Sequence, residues 1–129
     1  MTDELIEQAR ARARHAYAPF SNFRVGAVVV ADDGTTYEGA NVENSAYGSS
    51  MCAEATAIGN AVSHGVRKID TVVVSCIDAD EPGYPCGNCL QLMVEFGVKR
   101  VLVDGPNGAV EHSVEELIPH GFRLESEEQ

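Results

Sequence analysis

The chain has 129 residues, 44% of them hydrophobic, and its 20 acidic against 9 basic side chains give a formal charge of −11. That is the length of one domain, with enough apolar content for a core. The charge excludes a nucleic-acid partner bound through a basic face and makes an anionic membrane surface a poor partner, and no apolar run approaches a membrane span.

Residues 3–17 place Leu5, Ile6, Ala9, Ala13, Ala16 and Tyr17 at helical spacing, with Asp3, Glu4 and Glu7 at the positive end of the dipole. Ala18-Pro19 is the expected stop. Val25 to Ala31 and Thr35 to Asn41 flank Asp32-Asp33-Gly34 and predict a β-hairpin with an Asp-Gly turn. Residues 52–64 are Ala-rich and apolar on most sides, which predicts a central buried helix closed by Gly65. Ile69 to Ile77 and Val98 to Val103 read as strands, with a short helix over 87–96 between them. Ala109 to His112 forms a short last strand, and Val114 to Ile118 a short helix that Pro119 stops.

The strand–helix–strand alternation calls for parallel pairing with a right-handed crossover, and the opening hairpin adds an antiparallel pair. The predicted fold class is α/β: a three-layer α/β/α sandwich around a mixed sheet of about five strands. With no linker, repeat or low-complexity tract, residues 1–129 form a single domain, with 126–129 as a frayed tail.

The N-terminus is acidic and lacks the basic and apolar regions of a signal peptide, so a cytoplasmic protein is expected. Disulfides are disfavoured there, and four cysteines need another reason to exist. Only Lys68 and Lys99 are lysines. Acid excess with little lysine suits a salt-loving host, and equally an ordinary acidic bacterial enzyme.

Two short stretches carry the chemistry. Cys52-Ala53-Glu54 opens the buried helix, and Pro85-Cys86-Gly87-Asn88-Cys89 opens the next. Cys86 and Cys89 stand three apart, so both thiols project to one side of a first helical turn. Helix N-termini lower thiol pKa values. Two helix starts converging at one sheet edge bring three thiolates together, leaving one tetrahedral position free, the layout of a catalytic zinc. Glu54 is two residues from Cys52, so it reaches that free position only if Cys52 lies in the open first turn. A carboxylate there moves a proton from water, whose ionisation zinc brings near pH 7, to a leaving group. Either motif alone is weak: C-x-x-C also serves redox pairs and structural zinc. Cys76 reads as a small buried hydrophobe of its strand, and His15, His64, His112 and His120 read as surface or loop residues.

Over about residues 5 to 122 the chain resembles the small single-domain cytidine deaminases. The resemblance rests on the two zinc motifs, on Ala16-Tyr17-Ala18-Pro19-Phe20-Ser21-Asn22-Phe23, Val25-Gly26-Ala27, Gly39-Ala40-Asn41-Val42-Glu43-Asn44, Ala46-Tyr47, and on Val114 to Pro119 with Phe122. The zinc deaminase signature assigns the acid/base role to the Glu of the first motif. The resemblance implies one Zn²⁺ per subunit on Cys52, Cys86 and Cys89, and Glu54 as catalytic residue that also holds ring N3 and the amino group. It implies Phe23 stacking on the pyrimidine, Asn41 and Glu43 on the ribose 3′-hydroxyl, a backbone contact to the base at Ser45, where Ala is usual, and Ala46 as a further substrate-binding residue. It implies Tyr47 and Phe122 completing a neighbouring subunit's site in a homotetramer.

Besides Ser45, three positions depart from the family pattern. Ala55 and Leu90 stand where arginines usually follow the catalytic Glu and the last Cys, and Tyr84 stands where Ser precedes the Pro. Three thiolates on Zn²⁺ carry a net −1, which those arginines draw off; Arg24 and Arg67 are the candidates to replace them. The implied reaction is hydrolytic deamination of cytidine and 2′-deoxycytidine to uridine and 2′-deoxyuridine with release of ammonia, in pyrimidine salvage. A blasticidin-type aminohydrolase on another cytosine-like nucleoside, or a zinc-binding protein of low activity, are the alternatives.

Overall fold

A computed structural model describes residues 2–125, and the frayed tail expected over 126–129 lies outside the described residues. The first helix, α1 (Thr2–Ala13), carries Asp3 and Glu4 in its first turn and buries Ile6, Ala9 and Ala13 on one face. It ends four residues before the predicted Tyr17. The reason is long-range: the Tyr17 N–H donates to the Asn41 carbonyl and its carbonyl accepts from the Glu43 N–H, so residue 17 joins a bridge to Val42 instead of the helix.

The hairpin is β1 (Val25–Ala31) and β2 (Thr36–Ala40), paired antiparallel from Gly26↔Ala40 to Val30↔Thr36. Its loop is longer than a two-residue Asp-Gly turn. The Gly34 N–H donates to the Ala31 carbonyl, the Ala31 N–H to the Thr35 carbonyl, and Gly34 takes φ 89°. That is a three-residue connection with Gly in the left-handed position.

Next come α2 (Ala53–Ser63), β3 (Ile69–Cys76), α3 (Gly87–Glu95), β4 (Arg100–Val103), β5 (Val110–Ser113) and α4 (Val114–Leu117). The Val98 N–H closes α3 on the Met93 carbonyl, so β4 begins two residues later than its apolar run. Ser113 and Glu116 form a reciprocal capping box at α4. The strand order is β2-β1-β3-β4-β5, with only β3 and β4 parallel. The predicted mixed five-stranded sheet and its α/β class are thus observed.

The two sheet faces bury different helices. Val28, Val73 and Leu102 pack against Ile6 and Ala9 of α1. Ala27, Val29, Val72, Val74, Val101 and Val103 pack against α2 and α3, through Ala53, Ala57, Ile58, Ala61, Leu90 and Met93. Alternate strand residues thus serve opposite layers.

Two glycines set how closely those layers approach. A Cβ at Gly26 would lie 2.0 Å from the Ala9 carbonyl oxygen, and one at Gly39 2.4 Å from the Ala57 nitrogen. Both obstacles are helix backbone, which cannot swing aside. Gly26→Ala is expected to cost about 3 kcal/mol or more, the upper part of the overpacking range. Gly59→Ala, in α2 with open space where its Cβ would go, should instead stabilise by about 0.5–1 kcal/mol. Urea midpoints of the two variants check both signs.

Candidate functional site

The C-terminal end of β3 and the starts of α2 and α3 meet at one edge of the sheet. Cys52 and Cys86 are the N-cap residues of α2 and α3, both extended (φ −71°, ψ 153° and φ −75°, ψ 169°), and neither thiol makes a cap hydrogen bond. Cys89 sits in the first turn of α3 and is fully buried. The three sulfurs lie within 4.8 Å of one another. Tetrahedral zinc with Zn–S bonds of ~2.3 Å needs sulfurs ~3.8 Å apart, so this donor set fits the metal. Its softness also favours zinc over magnesium or calcium.

The thiols are not equivalent. Burial pushes the Cys52 and Cys89 thiols up, with the nearby Glu54 carboxylate adding to both shifts. Burial acts on Cys86 too, but the N–H groups of Cys89 and Asn88 and the adjacent thiols outweigh it, and the net direction is down. Cys86 is therefore the thiol that ionises most readily.

Glu54 is buried at 6% exposure. Burial raises its pKa, and its own backbone N–H opposes the shift weakly. The N-cap position of Cys52 satisfies the condition set by the two-residue spacing: the chain turns into the helix between them, so both face one place. A cavity of about 240 Å³ opens there, lined by Cys52, Glu54, Cys86, Asn41, Val25, Val74, Cys76, Gly83 and Tyr84, with Ala53.

Asn41 is committed to the backbone. Its Oδ1 accepts from the Val25 N–H at 2.8 Å and its Nδ2 donates to the Phe23 carbonyl at 2.9 Å, leaving one lone pair and one proton for a ligand. Glu43 holds the turn before Phe23: it accepts from the Ser21 hydroxyl and from the N–H groups of Phe20 and Ser21. The Ser21 hydroxyl, followed by the two N–H groups, draws the Glu43 pKa down against the effect of burial. Asn22 in that turn takes φ 62°, a conformation Asn tolerates.

Phe23, Glu43, Ser45, Ala46, Tyr47 and Phe122 do not line the cavity. Phe23 is half exposed, and Ser45 and Ala46 lead on the surface into a short 3-10 turn, Tyr47–Ser49. The Tyr47 ring meets Phe20 edge-on at 6.0 Å and is otherwise open. Phe122 is tied by its backbone to the Gln91 side chain, with its ring exposed.

Cys76 is not the buried strand residue expected. It ends β3 half-buried and lines this cavity, because the strand stops at the sheet edge where the site opens. No periodicity marks that position; only the strand's final register would. Nor do the two candidate arginines reach the thiols. Arg24 is engaged by Asp78 through Nε and Nη2, both at 2.9 Å, and Arg67 donates to the Val62 and Val66 carbonyls. Among the described residues no arginine or lysine bonds to the three cysteines, so the first turns of α2 and α3 are the positive groups at hand.

Comparison with known proteins agrees with this geometry. The model of the cytidine and deoxycytidylate deaminase zinc-binding region matches residues 1–104. The cytidine deaminase of Sporosarcina psychrophila is 41% identical over 126 residues, covering 95% of this chain and 92% of that protein. That of Mycoplasma genitalium is 36% identical over 122 residues, covering 92% and 93%. The crystal structure of cytidine deaminase from Burkholderia pseudomallei superposes with a TM-score of 0.89 at 38% identity, covering 95% of this chain and 99% of that one. The chain belongs to the cytidine and deoxycytidylate deaminase zinc-binding family.

Proposed function

We propose that this protein is a zinc-dependent cytidine deaminase that converts cytidine and 2′-deoxycytidine, with water, to uridine and 2′-deoxyuridine and ammonia. The observation that carries this reading is the meeting of three thiols, Cys52, Cys86 and Cys89, beside a cavity that Cys52, Cys86 and the buried Glu54 line. Cys52, Cys86 and Cys89 would hold the zinc, which when bound supplies the Lewis acidity that ionises water near neutral pH. Glu54 would take one proton from the attacking water and deliver it to ring N3. It would then take the second water proton, from the hydroxyl now on C4, and deliver it to the amino group, which leaves as ammonia as the C4 carbonyl forms. Its raised pKa suits both directions of transfer.

Substrate binding is assigned by position. Asn41 and Glu43 take the ribose hydroxyl with the hydrogen-bonding capacity left over from the backbone, Phe23 stacks on the base, and the Ser45 and Ala46 backbone contacts it. No cluster of arginines and lysines lines the cavity to receive a phosphate, which favours a free nucleoside.

The assembly in this reading is a homotetramer with Tyr47 and Phe122 reaching a neighbour's site. Their exposures, 77% and 65%, support it, since large side chains this open gain most from a partner. Four free thiols suit a reducing cytoplasm. Light scattering at several potassium chloride concentrations, with cytidine, deoxycytidine and a cytosine-bearing antibiotic assayed in parallel, tests assembly and substrate together. A tetramer that turns over the two nucleosides, and stays active in molar salt as the acidic surface suggests, is the expected result. A fully active monomer would refute the shared site.

A further inference from the structure

We propose that Tyr84, His112 and Glu116 form a clamp that fixes the segment leading into Cys86 and so sets how firmly the protein holds its metal. The inference rests on the reading of Cys86 as a zinc ligand.

The connection from β3 to α3 has no regular structure. Its first part is held: the Ile77 N–H donates to the Arg24 carbonyl, and Asp78 pairs with Arg24. Its second part lies against the fold through Pro82 beside Gly105 and Gly83 beside Cys76, but has little hydrogen bonding. Among the described residues, 80–85 make one hydrogen bond, from the Tyr84 hydroxyl to His112 Nε2 at 2.9 Å. The two rings also meet edge-on, centroids 5.3 Å apart. That single side-chain attachment lies two residues before Cys86.

The far end of the attachment is prepared to receive it. His112 lies on β5, paired with Val101 in the sheet. Glu116 Oε1 is committed to the Ser113 N–H by the capping box at 2.9 Å, which directs Oε2 to His112 Nδ1 at 3.4 Å. A proton on Nδ1 facing the carboxylate leaves Nε2 as an acceptor, so the Tyr84 hydroxyl donates. The near end transmits the restraint. Pro85 has a fixed φ and confines Tyr84 to extended backbone, so fixing the Tyr84 side chain leaves Cys86 few places to go. Tyr84 and Cys86 both line the cavity. Tyr84 is thus a positioning residue acting through the backbone.

The test is the rate at which the zinc-loaded full chain yields its metal to an excess of a chromogenic chelator. Tyr84→Phe keeps the ring and loses the hydroxyl; His112→Leu loses the acceptor. Each should release zinc about tenfold faster, the lower end of the effect of contacts outside the ligand set. His112→Gln, which still offers an acceptor and a donor, should stay near wild type. The double variant should release no faster than either single one, because both break the same link. Release by both single variants within about twofold of wild type, loss of zinc from His112→Gln as fast as from His112→Leu, or multiplied effects in the double variant would overturn the clamp. A wild-type chain that binds no zinc overturns the metal reading and the clamp together.

Discussion

Replacing Glu54 by Gln should cut cytidine turnover by about 10²–10⁴-fold, the usual contribution of a positioned acid–base group, while one zinc per chain stays bound. The amide fills the same space at the start of α2 but neither takes a proton from water nor returns it. All three thiols remain in place, and loss of the Glu54 charge removes one influence that holds Cys52 and Cys89 protonated. A second effect separates this role from a structural one. Burial raises the Glu54 pKa, so the folded chain binds that proton more tightly than the unfolded chain does. Ionisation of Glu54 is then a cost to the fold, absent below the ordinary carboxylate range and growing as pH rises through it. Gln carries no such charge. Metal-free Glu54→Gln should therefore melt above metal-free wild type near neutral pH, and the gap should close in acid. A dead but stabilised variant marks a group kept for its chemistry. Turnover within about tenfold of wild type would remove Glu54 from the reaction.

Cys89→Ser should weaken zinc binding beyond the ~100-fold upper end reached by contacts outside the ligand set. Cys89 is the buried member of the triad, and its sulfur faces two other sulfurs and the Glu54 carboxylate. The serine hydroxyl does not ionise in this range and is a poorer donor to a soft site. Zinc binds only the folded arrangement, so it raises stability by mass action. A chelator should lower the melting temperature of wild type and leave Cys89→Ser where it was. The pH dependence follows from the thiols. Cys52 and Cys89 are held protonated by burial, so zinc binding displaces protons and strengthens as pH rises. A chelator-induced shift of equal size in both proteins would exclude Cys89 from the metal site.

The chemistry was legible where it depended on local spacing. Cys86 and Cys89 at three residues required only helix geometry to face together, while Cys52 joins them because both motifs open helices that start at the same sheet edge, and the three sulfurs do meet. The hairpin and the buried helix were legible from period and composition, because Val-rich runs and a helix apolar on most sides have few other places to go; α2 buries Ala53, Glu54, Ala57, Ile58 and Ala61 and leaves Gly59 exposed. Features set by distant partners were not. The first helix stops at Ala13 because strand-end backbone captures Tyr17, a partner more than twenty residues away. Arg24 is taken by Asp78 across 54 residues. Cys76 lines the cavity because β3 ends there, and nothing in its neighbours announces that end. The attachment of Tyr84 to His112 joins residues 28 apart, and neither type at either position signals the other.

The departures from the family pattern sharpen the energetic question at the metal. Ala55 is half-buried and Leu90 is buried, so apolar packing has replaced two expected cations. The positive ends of α2 and α3 must then offset the extra negative charge of three thiolates, with the N–H groups facing Cys86 the clearest instance.

The central claim is that this site deaminates cytidine only with zinc in place. Metal-free protein titrated with zinc, with cytidine loss followed by ultraviolet absorbance, tests it most directly. The rate should rise from zero in proportion to added zinc and level off at one zinc per chain. Folded protein carrying one zinc per chain without turnover, or turnover by the metal-free protein, would contradict it.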